Sequence, residues 1–183
     1  MQKTKLQTLN STDGLDRGSS RIIELCWYII KMVIFLSAFP WPNGLKSKIL
    51  KLYGAKVGHG VIIKPRVNIH FPWKLDIGNY TWIGEEVFIL NFEPIVIGSN
   101  VCISQRSFLC GGNHDFRDPS FKYRNGPIRI KDESWVGAQV FIAPNVIIKE
   151  GAVITAGSVV YSDQPEYMVC SGNPCKALKN RYK

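Results

Sequence analysis

The sequence predicts a mainly β fold, a parallel solenoid of short strands stacked in coils around a narrow aliphatic core. Three observations point there. An aliphatic residue recurs every six positions, at Val57, Ile63 and Ile69, at Ile77, Ile83 and Ile89, and at Ile97, Ile103 and Leu109. After a gap the series resumes at Ile130, Val136, Ile142, Ile148, Ile154 and Val160. Glycine follows at Gly58, Gly78, Gly84, Gly98 and Gly137. Four places after the aliphatic residue stand small or β-branched ones: Val61, Val67, Thr81, Val87, Val101, Ser107, Ser134, Val140, Val146, Ala152 and Ser158. A period of six matches neither a helix nor an alternating strand. It fits short strands joined by tight turns, with glycine supplying the backbone freedom the turns need. Stacked coils then pair at a spacing of about 4.8 Å and bury one continuous column.

Taken in order, the elements are as follows. Residues 1–18 are polar and read as a loose arm. Ser20 is placed to cap a helix, with Glu24 in the first turn, where a negative charge suits the helix dipole. Residues 22–39 (IIELCWYIIKMVIFLSAF) are apolar but carry Glu24 and Lys31, and Pro40 and Pro42 follow. A spanning helix needs about 20 apolar residues free of central charge, and a signal peptide needs a basic start and a small-residue cleavage site. The stretch therefore reads as a helix lying on a membrane or packed on the protein. A second helix is expected over 45–53. Asn43 is its expected cap, Leu45, Ile49 and Leu52 its apolar face, and Gly54 its end. Coils begin at Val57, Ile77, Ile97, Ile130 and Ile148, with two-residue slips at 75–76 and 95–96. The rhythm breaks at CGGNHDFRD, and a loop over 111–129 leaves the stack after the third coil. The chain thus divides into an arm with helices (1–54), a β-helix (55–165) and a basic tail (166–183).

Composition narrows the partners. With 183 residues and 45% hydrophobic content, the chain is a folded domain with its own core. Residues 1–66 hold eleven Lys/Arg against three Asp/Glu, whereas residues 67–183 hold twelve against eleven, so the net +9 is an N-terminal property. That bias suits an anionic surface such as phospholipid headgroups. No RNP motif, basic heptad region or zinc finger accompanies it, so nucleic acid is not expected. Cys26, Cys102, Cys110, Cys170 and Cys175 form no CxxC pair and read as reduced thiols in a cytosolic protein.

The [LIV]-G-x-x-[STAV]-x repeats resemble the hexapeptide acyltransferase superfamily. Pro72-Trp73, WIGEEVFILNFEPIVIG, ISQRSFLCGGNHDFRDPSF, WVGAQVFIAPNVII and SGNPCKALK narrow the resemblance to its colanic-acid-biosynthesis acetyltransferase branch. That branch is close to the nodulation, galactoside and maltose O-acetyltransferases. The match runs from about Leu45 to Tyr182, and ISQ…NHD is its most specific part. The resemblance implies a left-handed coil, against the usual right-handed crossover. It also implies a homotrimer, acetyl-CoA as co-substrate, no metal, and a sugar or glycan acceptor in surface-polysaccharide assembly.

It further implies that His114 is the general base, in a cleft between neighbouring subunits. The chemistry agrees: an acceptor hydroxyl must lose its proton as it attacks the thioester, and an imidazole with a pKa of about 6.5 suits that task. Asp115 or Asp118 is placed to hold the ring in the required tautomer. Asn91, on the preceding coil, is the expected contact to an acceptor hydroxyl, and Trp82, Phe92 and Tyr123 are candidates to stack on a sugar. For the donor, Gly137, Ala138, Ala156, Gly157 and Ser158 are small enough to line a pantetheine groove, where a backbone N–H can hold the developing oxyanion. Lys176, Lys179 and Arg181 are candidates for the CoA phosphates. Lys176 stands where some relatives carry Arg, which makes that contact less bidentate.

Rival readings remain open. Each small residue also suits a narrow coil, each aromatic also suits packing, and the basic tail also suits solvent. Cys110, four residues before His114, invites a Cys–His nucleophile, but it follows Leu109 directly and is expected to face a packed neighbour. A zinc hydratase on the same fold needs three converging histidines. His59 and His70 lie in the first coil region and are expected to be structural or solvent-facing, away from His114. A small-molecule acetyltransferase and a non-catalytic scaffold are the remaining alternatives. The chain is expected in the cytoplasm, with a peripheral contact at the inner face of the membrane through the N-terminal helix as its expected link to the bilayer.

Overall fold

The computed structural model describes residues 4–10 and 13–182. Its strands form three parallel ladders, which are the faces of a triangular prism. Face A stacks Val57, Ile77, Ile97, Ile130 and Ile148. Face B stacks Ile63, Ile83, Ile103, Val136, Ile154 and Cys170. Face C stacks Ile69, Ile89, Leu109, Ile142 and Val160. All fifteen periodic aliphatic side chains are buried, and so are the eleven residues four places after them. Each aliphatic side chain thus sits directly above its counterpart one coil below, which is the column the period predicts.

The glycines need a different explanation from the expected one. None of Gly58, Gly78, Gly84, Gly98 and Gly137 has a positive φ. Their constraint is the next coil: a Cβ on Gly78 would lie 2.5 Å from the backbone carbon of Gly98 and from the nitrogen of Ser99. The left-handed turn residue falls two places later, at Tyr80, Glu86, Asn100 and Arg106 among others. These side chains accept the strained region because the coils above and below fix the turn.

The two helices close the lower end of the prism. In a parallel ladder alternate residues bond upward and downward, so the first coil has groups with no coil beneath them. The second helix, Asn43–Leu52, supplies the missing partners. Asn43 Oδ1 accepts from the Ile63 N–H at 3.0 Å, and Lys46 Nζ donates to the Ile63 carbonyl at 2.8 Å. Asn43 therefore satisfies a strand rather than capping its own helix, where Pro42 takes the cap position. The inward face is Lys46 and Leu50 with Ile49 partly buried beside them, while Leu45 is exposed and Leu52 is 82% exposed, so of the expected face only Ile49 packs.

The first helix, Arg21–Ile30, is capped by Ser20 and continues as a π-helical turn over Lys31–Phe35. Its Trp27 is buried and donates from Nε1 to the carbonyls of Ile69 and His70 at 3.1 and 3.0 Å. No helix among the described residues is long and apolar enough to cross a membrane. At the upper end, the described part of the basic tail is ordered as two strands with a largely exposed outer one. Met168–Gly172 extends face B, and Cys175–Asn180 folds back on it antiparallel.

The arm is likewise not loose where it is described; residues 1–3 and 11–12 lie outside the described residues. Lys5 N donates to the Pro119 carbonyl, Tyr123 N to the Asp13 carbonyl, and Trp73 Nε1 to the Arg17 carbonyl. Lys74 Nζ bonds the carbonyls of Asp16 and Phe92. The arm thereby joins the 111–129 loop to the C/A edge of the prism.

Candidate active site

All departures from the six-residue rhythm fall on the C/A edge. The first coil turns there through Pro72–Lys74, the second through Asn91–Pro94, and the third opens into the long loop. The loop has a closed neck, with Gly111 N on the Leu90 carbonyl and Gly126 N on the Gly111 carbonyl. Above the neck, Asp115 N bonds the Lys122 carbonyl and Arg124 N the Asn113 carbonyl, each at 2.8 Å. His114 pairs with Tyr123 between these two rungs, so it is held in a small antiparallel ladder.

The His114 ring is fixed on three sides. Phe121 stacks on it at 4.4 Å and 10°, and Tyr123 leans against it at 4.6 Å. Its Nδ1 lies 2.7 Å from the Phe121 carbonyl oxygen. A carbonyl only accepts, so Nδ1 carries the hydrogen and Nε2 keeps a free lone pair. The expectation that Asp115 or Asp118 sets the tautomer is thus corrected. Asp115 accepts from the Arg117 N–H, while Asp118 accepts from Ser120 and pairs with Lys122. A carbonyl can do this orienting work without adding a charge.

Asn91 also takes another role. It is fully buried, with Oδ1 accepting from Phe71 N at 2.8 Å and Nδ2 donating to the Phe71 carbonyl. Both ends of the amide bond one backbone and the side chain is fully buried, so it fixes Phe71 and offers no accessible group to an acceptor. Cys110 donates to the Gly112 carbonyl, and burial pushes its thiol pKa up, so it is not a ready thiolate. Trp82 is half exposed on face B and does not join Tyr123 and His114 on the C/A edge of the same chain.

The small donor-side residues gather along the B/C edge. Gly157 N donates to the Ala138 carbonyl at 2.8 Å, and a Cβ on Gly137 would lie 2.6 Å from Ala156 N. Ala156 and Gly157 are exposed, and a Cβ on Gly157 would meet nothing. Ser158 is the exception: it is buried, with its hydroxyl accepting from Gly172 N. Lys176 pairs in register with Ser171, whose hydroxyl lies 2.6 Å from that of Thr155, so Lys176 reaches the top of this edge. Lys179 is exposed on the same strand. Arg181 goes elsewhere, donating to the carbonyls of Glu133 and Gly151 on the A/B edge, and is not free for a phosphate on the B/C edge.

One group was missed from the sequence. His70, expected away from His114, lies on the same C/A edge, linked to it by ring contacts. His70 meets Phe92 at 4.9 Å, Phe92 meets Tyr123 at 5.8 Å, and Tyr123 meets His114. The slip at 75–76, shared with the one at 95–96, was the available signal that this edge is special. Burial first, and the Lys31 charge second, hold the His70 imidazole down at about 4, so it is neutral near pH 7. Beside it a cavity of about 360 Å³ opens between the first helix and the first coil.

Among the described residues no group of three His, Cys, Asp or Glu could hold a metal ion. All five cysteines are unpaired.

No protein-family model matches the chain. It is 37% identical over 165 residues to the Escherichia coli protein named as a colanic acid biosynthesis acetyltransferase, covering 90% of this chain and 91% of that one. It is 30% identical over 139 residues to the galactoside O-acetyltransferase of E. coli, covering 73% and 68%. Among solved structures, a hexapeptide-repeat acetyltransferase from Vibrio cholerae, complexed with acetyl-CoA, superposes with a TM-score of 0.81 at 26% identity, covering 92% and 93%.

Proposed function

The chain belongs to the hexapeptide-repeat acetyltransferases, within the branch that includes the colanic acid biosynthesis relative, and from that premise we propose that it moves acetyl from acetyl-CoA to a hydroxyl of a sugar. The observation that carries the proposal is the His114 imidazole, with Nδ1 tied to a carbonyl and Nε2 left as a base. Nε2 takes the hydroxyl proton as the acceptor oxygen attacks the thioester carbonyl carbon. The tetrahedral intermediate then collapses, the C–S bond breaks, and the imidazolium returns the proton to the departing CoA sulfur. Ala138, Ala156 and Gly157 offer a narrow open strip for the pantetheine arm, and Lys176 and Lys179 offer charge for the CoA phosphates. The V. cholerae acetyl-CoA complex supports that choice of donor.

Base and donor strip lie on different edges of one prism, C/A and B/C, with face C between them. A second copy presenting its B/C edge to the C/A edge of the first completes the site, which supports a homotrimer with its sites between subunits. Face C carries an outward ladder of Phe88, Phe108 and Phe141, with ring centroids 4.8 and 5.5 Å apart, suited to burial against another copy. The role in surface-glycan assembly, in the cytoplasm at the inner face of the membrane, draws on the name of the E. coli relative. It also draws on the first helix, whose Ile22, Leu25, Ile29 and Val33 are each more than half exposed.

An acceptor panel with acetyl-CoA tests the reaction. Acetylation of sugar or glycan hydroxyls supports the reading, while acetylation of xenobiotic hydroxyls alone replaces it with the small-molecule alternative. Failure to bind anionic liposomes at low salt removes the membrane contact.

A further inference from the structure

The cavity beside His70 is not explained by the chemistry at His114, although it opens on the same edge. Two of its lining residues are cations without anionic partners among the described residues. Lys31 is only 6% exposed, and its Nζ lies 5.3 Å from the centroid of the Tyr28 ring. Burial alone lowers its pKa, with no carboxylate near enough to offset the loss of water. Arg21 stands exposed at the rim and makes no ion pair among the described residues. The only acid in the wall, Glu24, is held by Arg17, with both of its oxygens within 2.8 Å of one guanidinium nitrogen. A buried cation without an anion is costly to the fold, and an incoming anion offsets that cost.

The remaining walls are Trp27, Tyr28, His70 and Phe71. The neutral His70 ring can donate one N–H, and the aromatic walls give apolar surface for a sugar or a chain to lie on. Ring contacts of 4.9, 5.8 and 4.6 Å through Phe92 and Tyr123 link His70 to His114, so the two rings lie no more than about 15 Å apart along this edge. That distance suits one sugar unit with a phosphate group at its far end.

The geometry points to this cavity as the seat of the phosphate or diphosphate of a phosphate-linked sugar acceptor, whose hydroxyl then reaches His114. This inference rests on the acetyltransferase reading and names its substrate class. Lipid carriers and nucleotides both supply such a group. The exposed apolar stripe beside the cavity, which includes Leu25, favours a lipid carrier.

The test is calorimetric titration of the full chain, saturated with CoA so that the donor site is filled. The probes are inorganic pyrophosphate, UDP-glucose and farnesyl diphosphate. Saturable binding is expected for the diphosphates, weakened at least tenfold by Lys31→Met and to a lesser degree by Arg21→Gln. Tighter binding of farnesyl diphosphate than of UDP-glucose identifies the lipid source, and the reverse order the nucleotide source. Should Lys31→Met not fold, the wild-type His70 imidazole resonances serve instead, since a bound diphosphate must move them and raise the pKa of that ring. No binding by any probe, binding unchanged in Lys31→Met or, where that variant does not fold, in Arg21→Gln, or His70 resonances unmoved by pyrophosphate overturns the inference. CoA binding on the same sample separates the two readings. CoA bound with no diphosphate bound overturns this inference alone, whereas no CoA bound strikes the acetyltransferase reading itself.

Discussion

The prism interior and its C/A edge are ordered by different means. Inside, each coil repeats the same demand and the next coil meets it, so Ile77 packs on Val57 and beneath Ile97 for the same reason throughout. At the edge nothing repeats. His114 is aimed by Phe121, the loop is tied to the arm through Pro119 and Tyr123, and the lowest coil is completed by helix side chains. Regular regions carry their own support, whereas the chemistry is placed where support must be brought from distant parts of the chain.

Substitutions that remove the imported support sharpen this contrast. The largest loss of stability is expected for Trp27→Ala, which empties a buried site against Phe35 and Tyr53 and leaves the Ile69 and His70 carbonyls without their donor. About 3–5 kcal/mol is expected from chemical denaturation. Next comes acid. His70 is held at about 4 in the folded protein, so the unfolded chain takes up that proton at higher pH. The associated stability is complete above about pH 6.5 and is lost as pH falls toward 4, on the order of 3 kcal/mol in all. Urea midpoints measured from pH 7 down to 4.5 should fall less steeply for His70→Gln than for wild type.

Lys46→Ala strands the Ile63 carbonyl and is expected to cost about 1–3 kcal/mol, again by denaturation. Lys46→Met, which leaves the same carbonyl unpaired but fills the space, separates packing from hydrogen bonding. The smallest effect on stability is expected from removing residues 1–16. That truncation frees the loop from Lys5, Asp13 and Gly14 while leaving the column intact. Turnover should drop about tenfold to a hundredfold as His114 loses its fixed aim, with the thermal midpoint moving far less than in Trp27→Ala. Equal losses of stability across these variants would erase the distinction between the two regions.

The same distinction governs what the sequence makes legible. The fifteen aliphatic positions, their registers and the point where the loop leaves could all be read, because a six-residue period is local and repeats its signal. His114 stood out because it sits where that signal stops. The roles of Asn91, Asp115 and Arg181 could not be read, because each depends on a backbone group brought close by folding: Phe71, Arg117, and Glu133 with Gly151. Lys46 was hidden for a related reason. Lysines are rarely buried, and only the open end of the first coil gives one a use there. The glycines misled in an instructive way, since a turn and a close approach between coils call for the same residue on different grounds.

The most direct measurement sets acetyl-CoA binding beside acetyl transfer in wild type and in His114→Ala. A base that acts only in the chemical step requires wild-type protein to bind acetyl-CoA near one molecule per subunit. The variant should bind it about equally well and lose about 10²- to 10⁴-fold in turnover. Turnover unchanged in His114→Ala would contradict the role given to this residue, and a folded wild-type protein that binds no acetyl-CoA would contradict the proposed reaction as a whole.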